Sequence, residues 1–331
     1  MVDFNTALSA SLAQYEELLG RPFAPFPTIE TVPDEALWAR ADQSARALNI
    51  AVSSGLIASV EALWQTSVSD PWLADANDDS LPFDADWFSH VSLVWLLMHE
   101  MQHADLDHFA FLGRKRIAEA DQQPGMGLLS RAASSAAPVQ KVRRQDRPLV
   151  EPCLELQADH DAIELVLDAY SPDDWPAIRY RTAAVSGMMV LIETAEQVSE
   201  GMPRSHPKAA TRIFQLLGHV MEMPTIPAMM KAQLRGETTI DPEDLPSDEE
   251  QRAFATSVTL PCYRDAVHLA RLAGASAIAD DLGDERSFFN DLKIAKLMDV
   301  DQFPSLVTAG GQEWASLVAL NDRLLRLQGL I

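Results

Sequence analysis

Residues 99–103 read His99-Glu100-Met101-Gln102-His103, an H-E-x-x-H pattern inside an apolar run. On a helix, positions four apart share a face. Both imidazoles can then reach one metal ion, and Glu100 lies beside them as a carboxylate able to take a proton from metal-bound water. A hydrolytic zinc site also needs a third protein ligand and an open position for water. The longer pattern H-E-x-x-H-x-x-G-x-x-H does not continue here. Position 106 is Leu where that pattern has Gly, and His108 arrives one residue before its third His. The third ligand must come from elsewhere.

The segment Glu155-Leu156-Gln157-Ala158-Asp159 offers one. Glu155 and Asp159 are four apart on one helix face. Glu155 could bind the metal while Asp159 accepts from the second nitrogen of a ligating imidazole, fixing its tautomer and raising its basicity. Glu151, one turn earlier on the same face, competes for the ligand role. Further on come His206-Pro207 and Arg212-Ile213. A histidine held just before a helix start could donate to the oxyanion of a tetrahedral intermediate. Arg212 could pair with a buried acid near the site. His90, His108, His160, His219 and His268 are expected to be structural or solvent-facing, with His108 and His160 nearest the motifs. Trp87 and Trp95 are expected in the core.

The elements that must position these residues are mostly helices. Glycine is sparse, at 14 residues, and Ala, Leu, Glu and Met are frequent, which favours helix. A helix is expected over about 84–112, with Gly113 as its stop. Residues 91–98 are apolar on nearly every side, so that helix is buried rather than laid on a surface. A second motif helix is expected over about 152–169, followed by helices over 172–199 and after Pro207. Upstream, the spacing predicts helices over 5–19, 34–47 (with Asp34 as N-cap) and 56–66, and a short strand over 50–53. Residues 70–86 read as a loop. Residues 114–147 carry Gly, Pro and a Ser-Ala-rich centre with eight Lys and Arg. They read as a solvated loop or, since they join the two motif helices, as a lid or docking segment. Three or four helices close the chain, with breaks near Gly283 and at Gly310-Gly311.

Composition bounds the function class. The chain has 331 residues, 47% of them hydrophobic, enough for a sizeable core. A net charge of -23 excludes general nucleic-acid binding, which needs a basic surface to displace counterions. The two cysteines make no disulfide framework, and no stretch is long and apolar enough for a membrane span. A cytoplasmic protein with no membrane partner is expected; the oligomeric state is not legible.

The ordered set H-E-x-x-H, then E-x-x-A-D, then H-P with Arg-Ile a turn later resembles the gluzincin-type zinc metallopeptidases. Within them it is similar to the HtpX-like and CAAX-protease-like peptidases and, lacking membrane spans, to the soluble Lit-type phage-exclusion peptidases. The resemblance spans roughly residues 50–215. It implies a mainly α, zincin-like core with at most a small β element, one Zn2+, and endopeptidase activity on an intracellular protein or peptide. It makes His99, His103 and Glu155 the metal ligands, Glu100 the general base and His206 a catalytic partner, with Asp159 and Arg212 supporting them. The expected organisation is a peptidase domain over 1–235, an acidic linker over 236–252 and a C-terminal helical lobe over 253–331. Two other readings compete. One is a non-catalytic helical interaction protein that keeps a metal site. The other is a di-iron carboxylate protein, since Glu100-x-x-His103 is also the E-x-x-H pair of that class, although no second such pair exists in the chain.

Overall fold

The computed structural model describes residues 3–44, 47–70, 84–119, 137–197 and 206–331. It is mostly helical with one small sheet. Helix α1 (Phe4–Leu19) leads into strands β1 (Pro27–Val32), β2 (Ala39–Gln43) and β3 (Leu48–Ser53), then α2 (Ser54–Ser67). Next come α3 (Ala85–Asp105), α4 (His108–Leu112), β4 (Arg116–Glu119) and α5 (Val150–Leu167). Helices α6 (Trp175–Gln197), α7 (Ala209–Glu222) and α8 (Ile226–Leu234) follow. The chain closes with α9 (Asp248–Phe254), α10 (Leu260–Leu272), α11 (Ser276–Leu282), α12 (Glu285–Lys296) and α13 (Ala309–Gln328).

The axis of the fold is α3. Its N-terminus is capped by Asp84, whose carboxylate accepts from the Trp87 N–H at 2.6 Å. Trp95, Leu96, Leu97 and Met98 are fully buried, as an all-round apolar run requires. α1, α2, α5 and α6 all pack on this helix, so the H-E-x-x-H segment at its C-terminal end is enclosed on several sides. Trp64 of α2 stacks on Phe88 of α3, with ring centroids 4.5 Å apart, and its indole N–H donates to Ser92 at 3.0 Å. Among the described residues no helix is long and apolar enough to cross a membrane.

The sheet has the order β1-β3-β2-β4. β1 runs parallel to β3, with Ile29 opposite Ile50. β2 lies antiparallel to β3 on its other side, with Ala41 opposite Ile50, and β4 pairs antiparallel with β2. The helix expected over 34–47 is therefore not formed among the described residues of that segment, which make β2 and the turn at Asp34. Ala39 and Ala41 are buried while Arg40 and Asp42 are partly exposed, a period of two that settles into the sheet against β3 and overrides alanine's helix preference. Asp34 caps a turn rather than a helix: its carboxylate accepts from the Ala36 N–H at 3.0 Å and the Trp38 indole at 2.9 Å.

Two further departures matter for the site. The helix expected over 84–112 breaks at Leu106-Asp107. Asp107 takes a left-handed conformation, φ 57°, and the chain restarts as α4 before Gly113 (φ 65°) ends it. The break expected at Gly310-Gly311 is absent, because both glycines lie in the first turn of α13. At Gly310 a Cβ would come within 2.7 Å of the Ala210 carbonyl oxygen. The glycine is there to let α13 approach α7, not to end a helix. α13 also reaches α5, where the Cys153 thiol meets the Leu317 carbonyl at 3.6 Å. Residues 114–119 and 137–147 of the basic segment are held locally: Arg114 pairs with Glu151 at 2.9 Å, and Asp146 pairs with Arg143 at 2.6 Å and Arg323 at 3.4 Å. The Ser-Ala-rich centre of that segment, most of the loop expected over 70–86, and the Ser205 that precedes His206 lie outside the described residues.

Candidate metal centre

His99 and His103 lie on one face near the end of α3, and α5 packs against that face. α5 tolerates Pro152 because it falls in the first helical turn, where no intrahelical donor is needed. The register of α5 then brings Glu155 to the two histidines. Nε2 of His99 lies 3.1 Å from Glu155 Oε2 and 3.1 Å from His103 Nε2. His103 Nε2 lies 3.4 Å from the same carboxylate oxygen. These three residues are all buried, and their ligand atoms lie within 4.8 Å of one another. Glu151 pairs with Arg114 at 2.9 Å, and Glu155 is the carboxylate that lies against the two histidines.

The outer hydrogen bonds fix which imidazole nitrogens face inward. His99 Nδ1 lies 2.9 Å from Asp159 Oδ1, so that nitrogen carries a proton and Nε2 is the one turned toward Glu155 and His103. Around His103 the assignment runs through a chain. The Gln157 amide nitrogen donates to Asn321 Oδ1 at 2.7 Å, leaving its Oε1 to accept from His108 Nε2 at 2.9 Å. His108 Nδ1 is then an acceptor, 2.8 Å from His103 Nδ1, so Nε2 is the His103 nitrogen turned toward His99 and Glu155. Burial and the neighbouring His103 push the His108 imidazole well below its ordinary value, keeping it neutral. Two imidazole nitrogens and a carboxylate oxygen thus converge at 3.1–3.4 Å. Contacts this short among three groups that each carry a lone pair call for a cation, a proton or a metal, among them. That donor set fits a divalent zinc-class ion.

Asp159 is itself clamped. Arg212 of α7 donates to both of its oxygens at 2.7 Å, and the guanidinium lies over the Trp95 ring at 5.3 Å. Burial raises the Asp159 carboxyl, but the Arg212 charge and the His99 and Arg212 hydrogen bonds outweigh it and hold it at about 2. Burial likewise raises Glu155; positive charge on His103 and His206, with hydrogen bonds from His103 and His99, holds it well below the usual carboxylate range.

His206 enters from the segment that leads into α7. Its Nδ1 lies 2.5 Å from Glu196 Oε1 and its Nε2 3.4 Å from Glu155 Oε2. Glu193, one turn before Glu196 on α6, accepts from the Ala209 N–H and so anchors the start of α7 beside the site. Glu100 is fully buried on α3. The structure therefore brings His99, His103, Glu155 and His206 into direct proximity, with Asp159 and Arg212 bonded behind His99.

Sequence reasoning passed over His108, Gln157, Glu196 and Asn321. His108 had one signal, its place five residues after His103, but only the turn at Asp107 folds it back. Asn321 lies on the last helix and nothing in the motifs points to it. No protein-family model matches the chain, and neither a curated protein nor a solved structure matches it.

Proposed function

We propose that the chain is a zinc-dependent endopeptidase, with His99, His103 and Glu155 as the metal ligands. The single observation that supports this most is the convergence of three buried ligand atoms, one each from His99, His103 and Glu155. When bound, zinc acts as a Lewis acid that acidifies water toward neutrality and polarises a peptide carbonyl. Glu100, next to His99 on the same helix, takes the proton of the attacking water and passes it to the leaving amine. Glu196 holds His206 through Nδ1 and keeps Nε2 toward Glu155, from where it donates to the oxyanion as the carbonyl becomes tetrahedral. Asp159 keeps the proton of His99 on Nδ1, and Arg212 keeps Asp159 ionised.

The test is cleavage of a complex mixture. Zinc-loaded protein and its Glu100→Gln variant are incubated with a denatured whole-cell peptide and protein mixture, and new N-termini are identified by mass spectrometry. The wild type is expected to generate termini that Glu100→Gln generates at least about 100-fold more slowly, the low end of what a general base contributes. Identical patterns from the two, with zinc bound to both, would overturn the catalytic reading and favour a protein that binds without cleaving.

A further inference from the structure

A second constellation of metal-binding side chains lies outside the site described above. His160 and Glu164 are four apart on α5 and share its outer face. His219 lies in the last turns of α7, seven residues after Arg212. His160 Nε2 lies 3.4 Å from Glu164 Oε1, and His219 Nδ1 lies 4.0 Å from the same oxygen. One ligand atom from each of the three residues falls within 4.8 Å of the other two. The two imidazole rings stand edge to face, centroids 6.2 Å apart. Ligands bound to one tetrahedral zinc sit about 3.3 Å from one another, so the arrangement closes on an ion through small side-chain rotations.

The donors are unequally exposed. The side chains of His160 and Glu164 are 50% and 53% exposed, whereas His219 is only 9% exposed. Burial, helped by the His160 charge, lowers the His219 imidazole to about 4, so it is neutral and able to bind metal at physiological pH. Two imidazole nitrogens and one carboxylate oxygen suit zinc and neighbouring first-row divalent ions, not calcium or magnesium, which prefer oxygen. His160 and His219 also line a groove of about 410 Å³, together with Leu156, Phe214 and Trp314. Asp161 and Glu222 line the same groove and add carboxylates to it.

We infer that His160, Glu164 and His219 bind a second, solvent-open divalent transition-metal ion that staples α5 to α7. The staple joins the same two helices that the Asp159–Arg212 pair joins from within, since His160 adjoins Asp159 in sequence. Its three donors leave at least one coordination position open to solvent or to a group arriving along the groove.

Equilibrium dialysis of the full chain against zinc chloride, with bound zinc measured by elemental analysis, tests this. The variants are His160→Ala and Glu164→Gln, both at exposed positions, with His219→Ala beside them and His103→Ala to empty the interior site. Wild type is expected to bind one interior equivalent and a second, weaker one. His160→Ala and His219→Ala lose the second equivalent; Glu164→Gln weakens it; His103→Ala keeps it. Thermal unfolding without metal is expected to match wild type for His160→Ala, and only the zinc-induced rise in Tm is lost. Uptake of a second equivalent unchanged in both His160→Ala and His219→Ala, or no such equivalent in wild type, would overturn the inference. A single equivalent that depends on His160 and His219 but not on His103 would sustain it and overturn the interior zinc reading instead.

Discussion

Replacing Arg212 by Met keeps most of the apolar stem and removes a guanidinium that is 1% exposed and makes two 2.7 Å hydrogen bonds to Asp159. Asp159, itself fully buried, is left with His99 as its remaining partner in the pair network. Stranding one partner of a buried ion pair costs about 3–5 kcal/mol. The carboxylate's own share is readable from its acidity: an acid held at about 2 when folded against 3.8 when unfolded contributes on the order of 2.5 kcal/mol at neutral pH. The lost contact of the guanidinium with the Trp95 face adds to the cost. In urea unfolding of the metal-free protein, with a slope of roughly 2–3 kcal/mol/M, the midpoint falls by about 1–2 M.

The pH dependence has a definite sign. Because the folded-state acid is the stronger one, its stabilisation is complete above the unfolded value of 3.8 and disappears as the pH falls toward about 2. The gap between wild type and Arg212→Met is therefore widest at neutral pH and narrows as the solution is acidified through that window. The double variant Arg212→Met with Asp159→Leu recovers part of the loss, since the cost lies in the unpaired charge rather than in the missing pair. A deficit under about 1 kcal/mol at pH 7, or strictly additive single and double variants, would refute the reasoning.

Two further outcomes follow from the same geometry. His108→Phe fills the buried volume but removes the acceptor of the His103 Nδ1 proton; zinc affinity measured by chelator competition falls about 10–100-fold, with the fold retained by circular dichroism. Gly310→Ala drives a methyl to 2.7 Å from the Ala210 carbonyl; thermal unfolding shows a loss of about 1–3 kcal/mol as α13 is forced off α7.

Long helices with strong patterns were legible in the chain, and so was the spacing that the site depends on. The i, i+4 spacing of His99 and His103, and of Glu155 and Asp159, fixes faces without knowledge of the fold, and the structure brings those faces together. The sheet was not legible in the same way. β1 lies among prolines and finds its partner β3 some twenty residues later, in parallel register; no local signal reports such a pairing. β2 carries alanines that favour helix in isolation, and only the pairing with β3 and β4 makes it a strand. The turn at Asp107 decided the role of His108. A single left-handed residue interrupts the helix there, and neither helical periodicity nor the motif spacing encodes it. Gly310 illustrates the converse, a residue that reads as a helix breaker but serves a close contact between helices.

The most direct measurement is anomalous diffraction at the zinc absorption edge from crystals of the purified chain. The account predicts a strong peak bounded by His99 Nε2, His103 Nε2 and a Glu155 carboxylate oxygen, at zinc–ligand distances of about 2.0–2.2 Å. Zinc-saturated crystals with no peak among those three residues, and with the imidazoles instead joined through a proton, would contradict it.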